Sequence, residues 1–293
     1  MQQSQFGILL ALIGALILTP DSLFMRLSHL DGGAMLAWRA SLAGVVFLLI
    51  GLNKRLRGTN KSKPIFSKSF AGLIVCQIAN TSFFAFAISL APVAIVLVAV
   101  ATVPIISLIL SAMFLGERAN HRSWGIILTV MLGIVVSVYG DLRGDVTYNT
   151  HAVLGALLGL AVAFSLAINF IVVRRDRSVE FEIALGIGAL IAGLTAFALS
   201  PTATDVTLNS ALIISFTGLI ILPLSFVMLS RASRYTTASN VSMLMLLETV
   251  LGPLWVWIVI DETPSHLTVV GGAIVIMAIF YFLLSGRKNV TSV

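Results

Sequence analysis

The chain runs from end to end as long apolar stretches separated by short polar breaks. A bilayer core about 30 Å thick takes about 20 apolar residues per helix, and the stretches have that length. The pattern predicts spans over residues 5–26, 33–52, 69–90, 93–115, 122–140, 151–173, 180–200, 209–230, 236–260 and 267–285. The predicted fold class is therefore all-α integral membrane, with ten transmembrane helices. The segments lack the period-two alternation that a membrane barrel needs. One boundary is a two-residue hinge at Ala91-Pro92, where proline ends one helix and opens the next. The first stretch, Phe6 to Leu18, follows Met1-Gln-Gln-Ser-Gln with no basic residue and no small-residue cleavage site. It is read as a retained first helix rather than a signal peptide.

Composition sharpens this. Of 293 residues, 58% are hydrophobic and 10% charged, with a mean hydropathy of +1.06. An ordinary soluble domain carries roughly 25% charged residues. Eighteen Lys and Arg with twelve Asp and Glu cannot cover a 31.2 kDa globule, which excludes a water-soluble enzyme. The lone cysteine, Cys76, lies within an apolar run and reads as a packing residue.

The net charge of +6 acquires meaning from its distribution. With ten spans and a cytoplasmic N-terminus, 15 of 18 basic residues fall in inside loops or on the tail. They are Lys54, Arg55, Arg57, Lys61, Lys63 and Lys68, then Arg118 and Arg122, then Arg174, Arg175 and Arg177, then Arg231 and Arg234, then Arg287 and Lys288. Arg26 and Arg143 fall outside, and Arg39 lies within a span. This predicts a multi-pass protein of the inner cell membrane with both termini cytoplasmic. Nucleic acid is not an expected partner, since the Lys54–Lys68 cluster interleaves only Phe66 for base stacking.

The chain also reads as two halves, 1–144 and 145–293. Met113-Phe-Leu-Gly-Glu117 closes the fourth span, and Ile258-Val-Ile-Asp-Glu262 closes the ninth, 145 residues later. Each precedes a Gly-bearing apolar helix, Trp124-Gly125 through Gly133 and Gly271-Gly272 through Ala278. The polar segment Asp141–Thr150 links the halves. Five helices per half is an odd number, so the predicted architecture is two inverted five-helix repeats, with Glu117 inside and Glu262 outside. Inverted repeats recur in secondary transporters, with the substrate site near the midplane.

On these features the chain resembles EamA-type members of the drug/metabolite transporter superfamily, nearly over its full length. The residues that carry the resemblance are Phe114-Leu115-Gly116-Glu117-Arg118 followed by Trp124-Gly125, with Leu247-Glu248, Asp261-Glu262 and Gly271 in the second half and Arg39 in the second span. The resemblance implies a ten-helix carrier of small metabolites, commonly an exporter of amino acids or related solutes. Many relatives carry a Trp-Gly pair in the first helix, where this chain has Thr19-Pro20-Asp21-Ser22.

Ionisable residues at membrane depth cost about 2.5–3.5 kcal/mol on insertion scales, so each asks for a reason. Asp21, Arg39 and Glu248 qualify. Asp21 and Arg39 lie at depths that agree within about 3 Å at the rise of a helix, so they can pair across the first two spans. Such a pair is either part of a substrate cavity or a purely structural bridge. Glu248, mid-span, has proton coupling or amine binding as functional readings, and a structural hydrogen bond as the other. Pro20, Pro104 and Pro253 each remove a helix hydrogen bond, marking spans one, four and nine either as mobile or site-lining or as simply kinked for packing; Pro223 has no charged neighbour. Among neutral polar residues Gln77, Asn80, Thr81, Thr102, Asn169, Ser239 and Asn240, only Asn80 and Thr102 lie near mid-depth. Trp38, beside Arg39, is placed to shape the cavity, while Trp255 and Trp257 read as interfacial belt residues and Gly155–Gly159 as a close-packing motif. The candidate substrate-binding set is Asp21, Trp38, Arg39, Asn80, Thr102 and Glu248.

No Gly-rich loop ending in Lys-Ser or Lys-Thr occurs, no histidine sits at metal-ligand spacing, and no nucleophile elbow is present. No catalytic residue, metal or cofactor is expected. The leading reading is a secondary carrier; the alternatives are an integral-membrane lipid-modifying enzyme and a lipid flippase. The acids Asp176, Glu180 and Glu182 among arginines are read as a solvated loop. Expected partners are a small-molecule substrate and the lipid bilayer, and the expected assembly is a monomer or homodimer.

Overall fold

A computed structural model describes residues 2–57, 67–91, 93–116, 121–141, 150–260 and 266–288. Pro92, Glu117, Arg118, the linker between the halves with the 144/145 division, and Asp261-Glu262 lie outside the described residues. The described residues form helices α1 (Gln2–Leu18), α2 (Asp21–Leu27), α3 (Gly32–Leu56), α4 (Lys68–Leu90), α5 (Val93–Val100), α6 (Val103–Leu115) and α7 (His121–Asp141) in the first part. Then follow α8 (Thr150–Arg175), α9 (Phe181–Leu199), α10 (Leu208–Phe216), α11 (Leu222–Ala232), α12 (Ala238–Met245), α13 (Leu247–Ile260) and α14 (His266–Lys288). No strand occurs among the described residues.

Among the described residues, eight helical segments are long and apolar enough to cross a membrane: Gln3–Leu27, Gly32–Leu56, Lys68–Leu90, Ile95–Leu115, Val153–Arg175, Phe181–Leu199, Leu208–Ala232 and Ala238–Val259. The apolar parts of α7 and α14 are shorter, Trp124–Gly133 and Val269–Tyr281. Local signals set the ends. Asp31 caps α3 by accepting from the amides of Gly33 and Ala34 at 2.8 and 3.1 Å. Partial burial pushes its carboxyl up, but a hydrogen bond from Thr202 and those amides hold it below the usual aspartate range. Ser67 caps α4 by accepting from Phe70 N at 3.1 Å. Gly116 ends α6 in the left-handed region at φ 65°, open to glycine without strain. Between α4 and α5, Ala91 is extended (φ −131°, ψ 158°), as a following proline demands.

Four of the long segments are interrupted midway. Pro20 cannot donate to the Leu16 carbonyl, and the chain breaks between α1 and α2. Thr19 takes up that carbonyl with its amide at 3.3 Å and its hydroxyl at 2.9 Å. Pro104 cannot donate to Val100, and α5 gives way to α6 at Ala101-Thr102. Before Pro223 the helix widens into a π turn over Thr217–Ile221, so this span is interrupted as well. The ninth span breaks at Leu246 through two tightened bonds, Leu246 N to Met243 O and Thr249 N to Leu246 O. That break lies a full two turns before Pro253, directly beside Glu248.

Helix pairing reveals two like halves. Taking α1–α2, α3, α4, α5–α6 and α7 as one set and α8, α9, α10–α11, α12–α13 and α14 as the other, second packs on second (α3 on α9). Fourth packs on fourth (α6 on α12) and fifth on fifth (α7 on α14). The first member of each set packs on the third of the other, α8 on α4 and α1 on α11. These contacts map onto themselves when the sets are exchanged, as a pseudo-twofold requires. Glycines allow the closest approaches. A Cβ at Gly44 would meet Leu190 N at 2.8 Å, and one at Gly193 would meet Ser41 N at 2.5 Å, so α3 and α9 touch backbone to backbone. Gly155 and Gly159 do the same for α8 against Ala91, Val96 and Ala99.

Candidate functional site

The breaks converge on one small cavity. It is walled by Leu18 and Asp21 at the first break, Val100 at the second, Leu222 after the π turn, and Met245 and Glu248 flanking the fourth. Arg39 of α3 and a stripe on α4 complete it. That stripe is Gln77, Asn80, Thr81 and Phe84, spaced i, i+3, i+4, i+7 on one helix face. The cavity offers about 30 Å³ to the centres of water-sized molecules. Ligand pockets run to roughly 300–1,000 Å³. The polar groups are thus gathered in a space much smaller than such pockets.

Asp21 and Arg39 form a buried ion pair, Nη2 of Arg39 donating to Oδ2 of Asp21. The guanidinium carbon also lies 5.5 Å from the Phe84 ring centroid. Bonding capacity at the pair is left unused: Asp21 Oδ1, Arg39 Nε and the nearby Gln77 Oε1 are buried without a partner among the described residues. Asp21 is the first residue of α2, and Glu248 stands in the first turn of α13. Both acids therefore begin a half-helix, where the helix dipole favours negative charge. Glu248 is buried and lines the same cavity as both members of the pair. The site holds two acids and one base, with amide and hydroxyl groups beside them.

Four of the six sequence candidates, Asp21, Arg39, Asn80 and Glu248, line this cavity. The other two stand elsewhere. Trp38 donates through Nε1 to Ala203 O at 2.9 Å and packs on Phe197 with centroids 5.9 Å apart, tying α3 to the turn after α9. Thr102 stands just before α6 without capping it through its side chain, and its hydroxyl donates back to Ala99 O at 2.7 Å. Gln77, Thr81 and Phe84 were missed as wall residues; their helical spacing with Asn80 was the available signal. Trp255, read as a belt residue, also donates through Nε1 to Thr19 Oγ1 at 2.9 Å, joining α13 to the first break. Pro223, without a charged neighbour in sequence, follows a turn packed on Arg39. A Cβ at Gly218 would meet Arg39 O at 2.8 Å.

A second charged cluster lies where α3, α8 and α11 end and α9 begins. Glu182 accepts from Lys54 and, at 3.4 Å, from Arg231. Arg55 lies 3.6 Å from Glu180, and Arg234 donates to Val179 O at 2.6 Å. Arg234 also covers the buried Phe181 ring at 4.8 Å, and burial holds its guanidinium below the ordinary arginine range. Glu180 and Glu182 are buried, so the reading of them as a solvated loop is corrected. The polar sequence signal was genuine, but helix ends packing together around Phe181 removed these acids from solvent.

These features define an all-helical, multi-pass membrane protein of two like halves around a small polar cavity. Residues 5–139 and 153–284 each match the EamA-like transporter family, and the chain belongs to it. It is 29% identical over 178 residues to the pseudopaline exporter CntI of Pseudomonas aeruginosa strain UCBPP-PA14, covering 60% of each chain. It is 25% identical over 196 residues to the uncharacterized transporter YdfC of Bacillus subtilis strain 168, covering 64% of this chain and 62% of that one. The aligned region thus spans about three fifths of these relatives. A protein crystal structure superposes over 98% of this chain and 99% of its own with a TM-score of 0.74 at 19% identity, a likeness of fold.

Proposed function

We propose that the chain is a secondary carrier that moves a small polar or amphipathic solute, amino-acid-like or related, by alternating access. One observation carries this reading: a small cavity lined by three ionisable side chains, placed where four interrupted segments meet. A structural ion pair alone does not need unpartnered donors and acceptors beside it. In this reading Asp21 and Glu248 receive the cationic part of the solute, Arg39 the anionic part, and Asn80 the polar remainder. Trp38 and Thr102 act at one remove, by holding α3 and the start of α6. α7 and α14 complete ten crossings in two inverted repeats, and the basic loops keep both termini in the cytoplasm of an inner membrane. Export is the proposed direction, in line with the exporter role of the Pseudomonas relative. The assembly is a monomer or homodimer.

The test is counterflow of radiolabelled solutes into proteoliposomes, using a panel of amino acids and related amines. Accumulation that Asp21→Asn abolishes supports the reading. Absence of counterflow with every solute, from protein that melts cooperatively, overturns it. Glu248 adds a second axis: a transport rate indifferent to an imposed pH gradient removes proton coupling through this residue.

A further inference from the structure

The cavity is not the end of the polar surface. On three helices its wall continues as a stripe of buried polar residues toward the Arg-rich end of the molecule. From Val100 on the cavity wall, steps of seven and four reach Ser107 and Ser111 of α6. From Val162 and Leu166, steps of seven and three reach Asn169 of α8. From Met245, steps of three lead back through Ser242 to Ser239 of α12. The spacings keep Ser107 with Ser111 on one face of α6 and Asn169 on the cavity face of α8, while Val100 lies across the α5–α6 break and the two steps of three on α12 turn about 120° from Met245 to Ser239.

Helices α6, α8 and α12 pack on one another, which brings the three stripes to a common seam. The hydroxyls of Ser107, Ser111 and Ser239 and Oδ1 of Asn169 are buried, and none has a hydrogen-bond partner among the described residues. Serines inside a helix ordinarily return a bond to the preceding turn, as Ser165 does to Ala161 O at 2.9 Å. Four unsatisfied polar groups along one seam are costly in a permanently dry interface. They are accounted for if the seam is wetted in another conformation of the same protein.

The inner end of this seam is fastened. Arg174, in the last turn of α8, donates to Thr236 O at 2.6 Å and Ser233 O at 3.5 Å, both just before α12. We propose that the seam between α6, α8 and α12 is the closed inward half of the solute pathway, and that Arg174 is the clasp that shuts it. The proposal rests on the carrier reading and names the route and gate that reading requires. Parting α8 from α12 at the clasp lets water reach Ser239, then Asn169 and Ser107, and then the cavity.

Thiol accessibility tests this without any solute. In a Cys76→Ala background, Ser111→Cys and Ser239→Cys are treated with a charged, membrane-impermeant methanethiosulfonate. The lipid-facing Leu160→Cys serves as control. Modification requires the thiolate and therefore water at the site. With Arg174 intact, both seam positions react slowly and only from the Arg-rich face. Arg174→Gln raises both rates by about tenfold, the gain from releasing a minor open state, and leaves Leu160→Cys unchanged. Unchanged seam rates in folded Arg174→Gln protein, or an equal rise at Leu160→Cys, overturns the proposal. Arg174→Lys, which keeps the charge without the fork, gives a smaller rise and serves if Arg174→Gln does not fold. If neither folds, the parent decides: reaction of Ser239→Cys from the opposite face alone overturns the gate. Because no transport is measured, this outcome is separate from success or failure in counterflow.

Discussion

The Asp21–Arg39 pair and the Glu182 cluster are both opposite charges held between helices, yet their surroundings differ. Asp21 and Arg39 are 1% and 4% exposed, so neither charge has water to fall back on. Glu182 is 5% exposed, but Lys54 and Arg231 are 37% and 38% exposed and keep part of their hydration. The central pair must therefore be whole, because a lone charge left behind stays buried. The Glu182 cluster can lose one member while its bases turn toward solvent. The centre is built for commitment, the end for release.

The sharpest way to break the comparison is Arg39→Ala. It strands the Asp21 carboxylate and is expected to cost about 3–5 kcal/mol of stability, the range for a broken buried pair. Thermal unfolding in detergent reads this. Asp21→Asn combined with Arg39→Gln is expected to restore most of the stability and none of the transport. Recovery of both would reduce the pair to a structural bridge.

Glu182→Gln probes the other cluster. It is expected to cost about 1 kcal/mol, since Lys54 and Arg231 stay partly hydrated. The cost should shrink with added salt, whereas that of Arg39→Ala should not. Equal salt sensitivity for the two variants would erase the distinction drawn here.

Asp31 marks the solvated end of the same scale. Its hydrogen bonds hold the folded-state carboxyl below the usual aspartate range. The stability it contributes is therefore present at neutral pH and is lost as the pH falls through that lowered value. Asp31→Asn keeps the cap, so its effect at neutral pH is expected to be a few tenths of a kcal/mol. The dip of stability in acid, followed by melting temperature, should be shallower in this variant than in the parent.

How far the sequence could be read depended on contrast. A charge in an apolar run stands out, so Asp21, Arg39 and Glu248 were legible, and so was the pairing of the first two from helix rise alone. Gln77 and Thr81 are only mildly polar against their helix and were visible but not singled out. Glu182 lies at a helix start among arginines, where solvated loops look the same. Trp38 shows the opposite error: adjacency to Arg39 in sequence suggested the cavity, but neighbours on a helix point about 100° apart, and its indole turns to Ala203. Pro20 and Pro104 marked real breaks because a missing N–H is a local fact. Pro253 did not mark the break of its span, since that interruption comes from tightened bonds at Leu246 beside Glu248.

By itself the sequence determined that this is a helical, multi-pass membrane protein of two like halves, with three ionisable groups inside apolar segments. Those properties follow from hydropathy, length and backbone hydrogen bonding, which act along the chain. Which groups share a cavity, which acids are buried at the helix ends, and where unsatisfied serines line up were decided only by tertiary packing. The physical reason is that burial belongs to neighbours across helices, and the chain carries no local record of them.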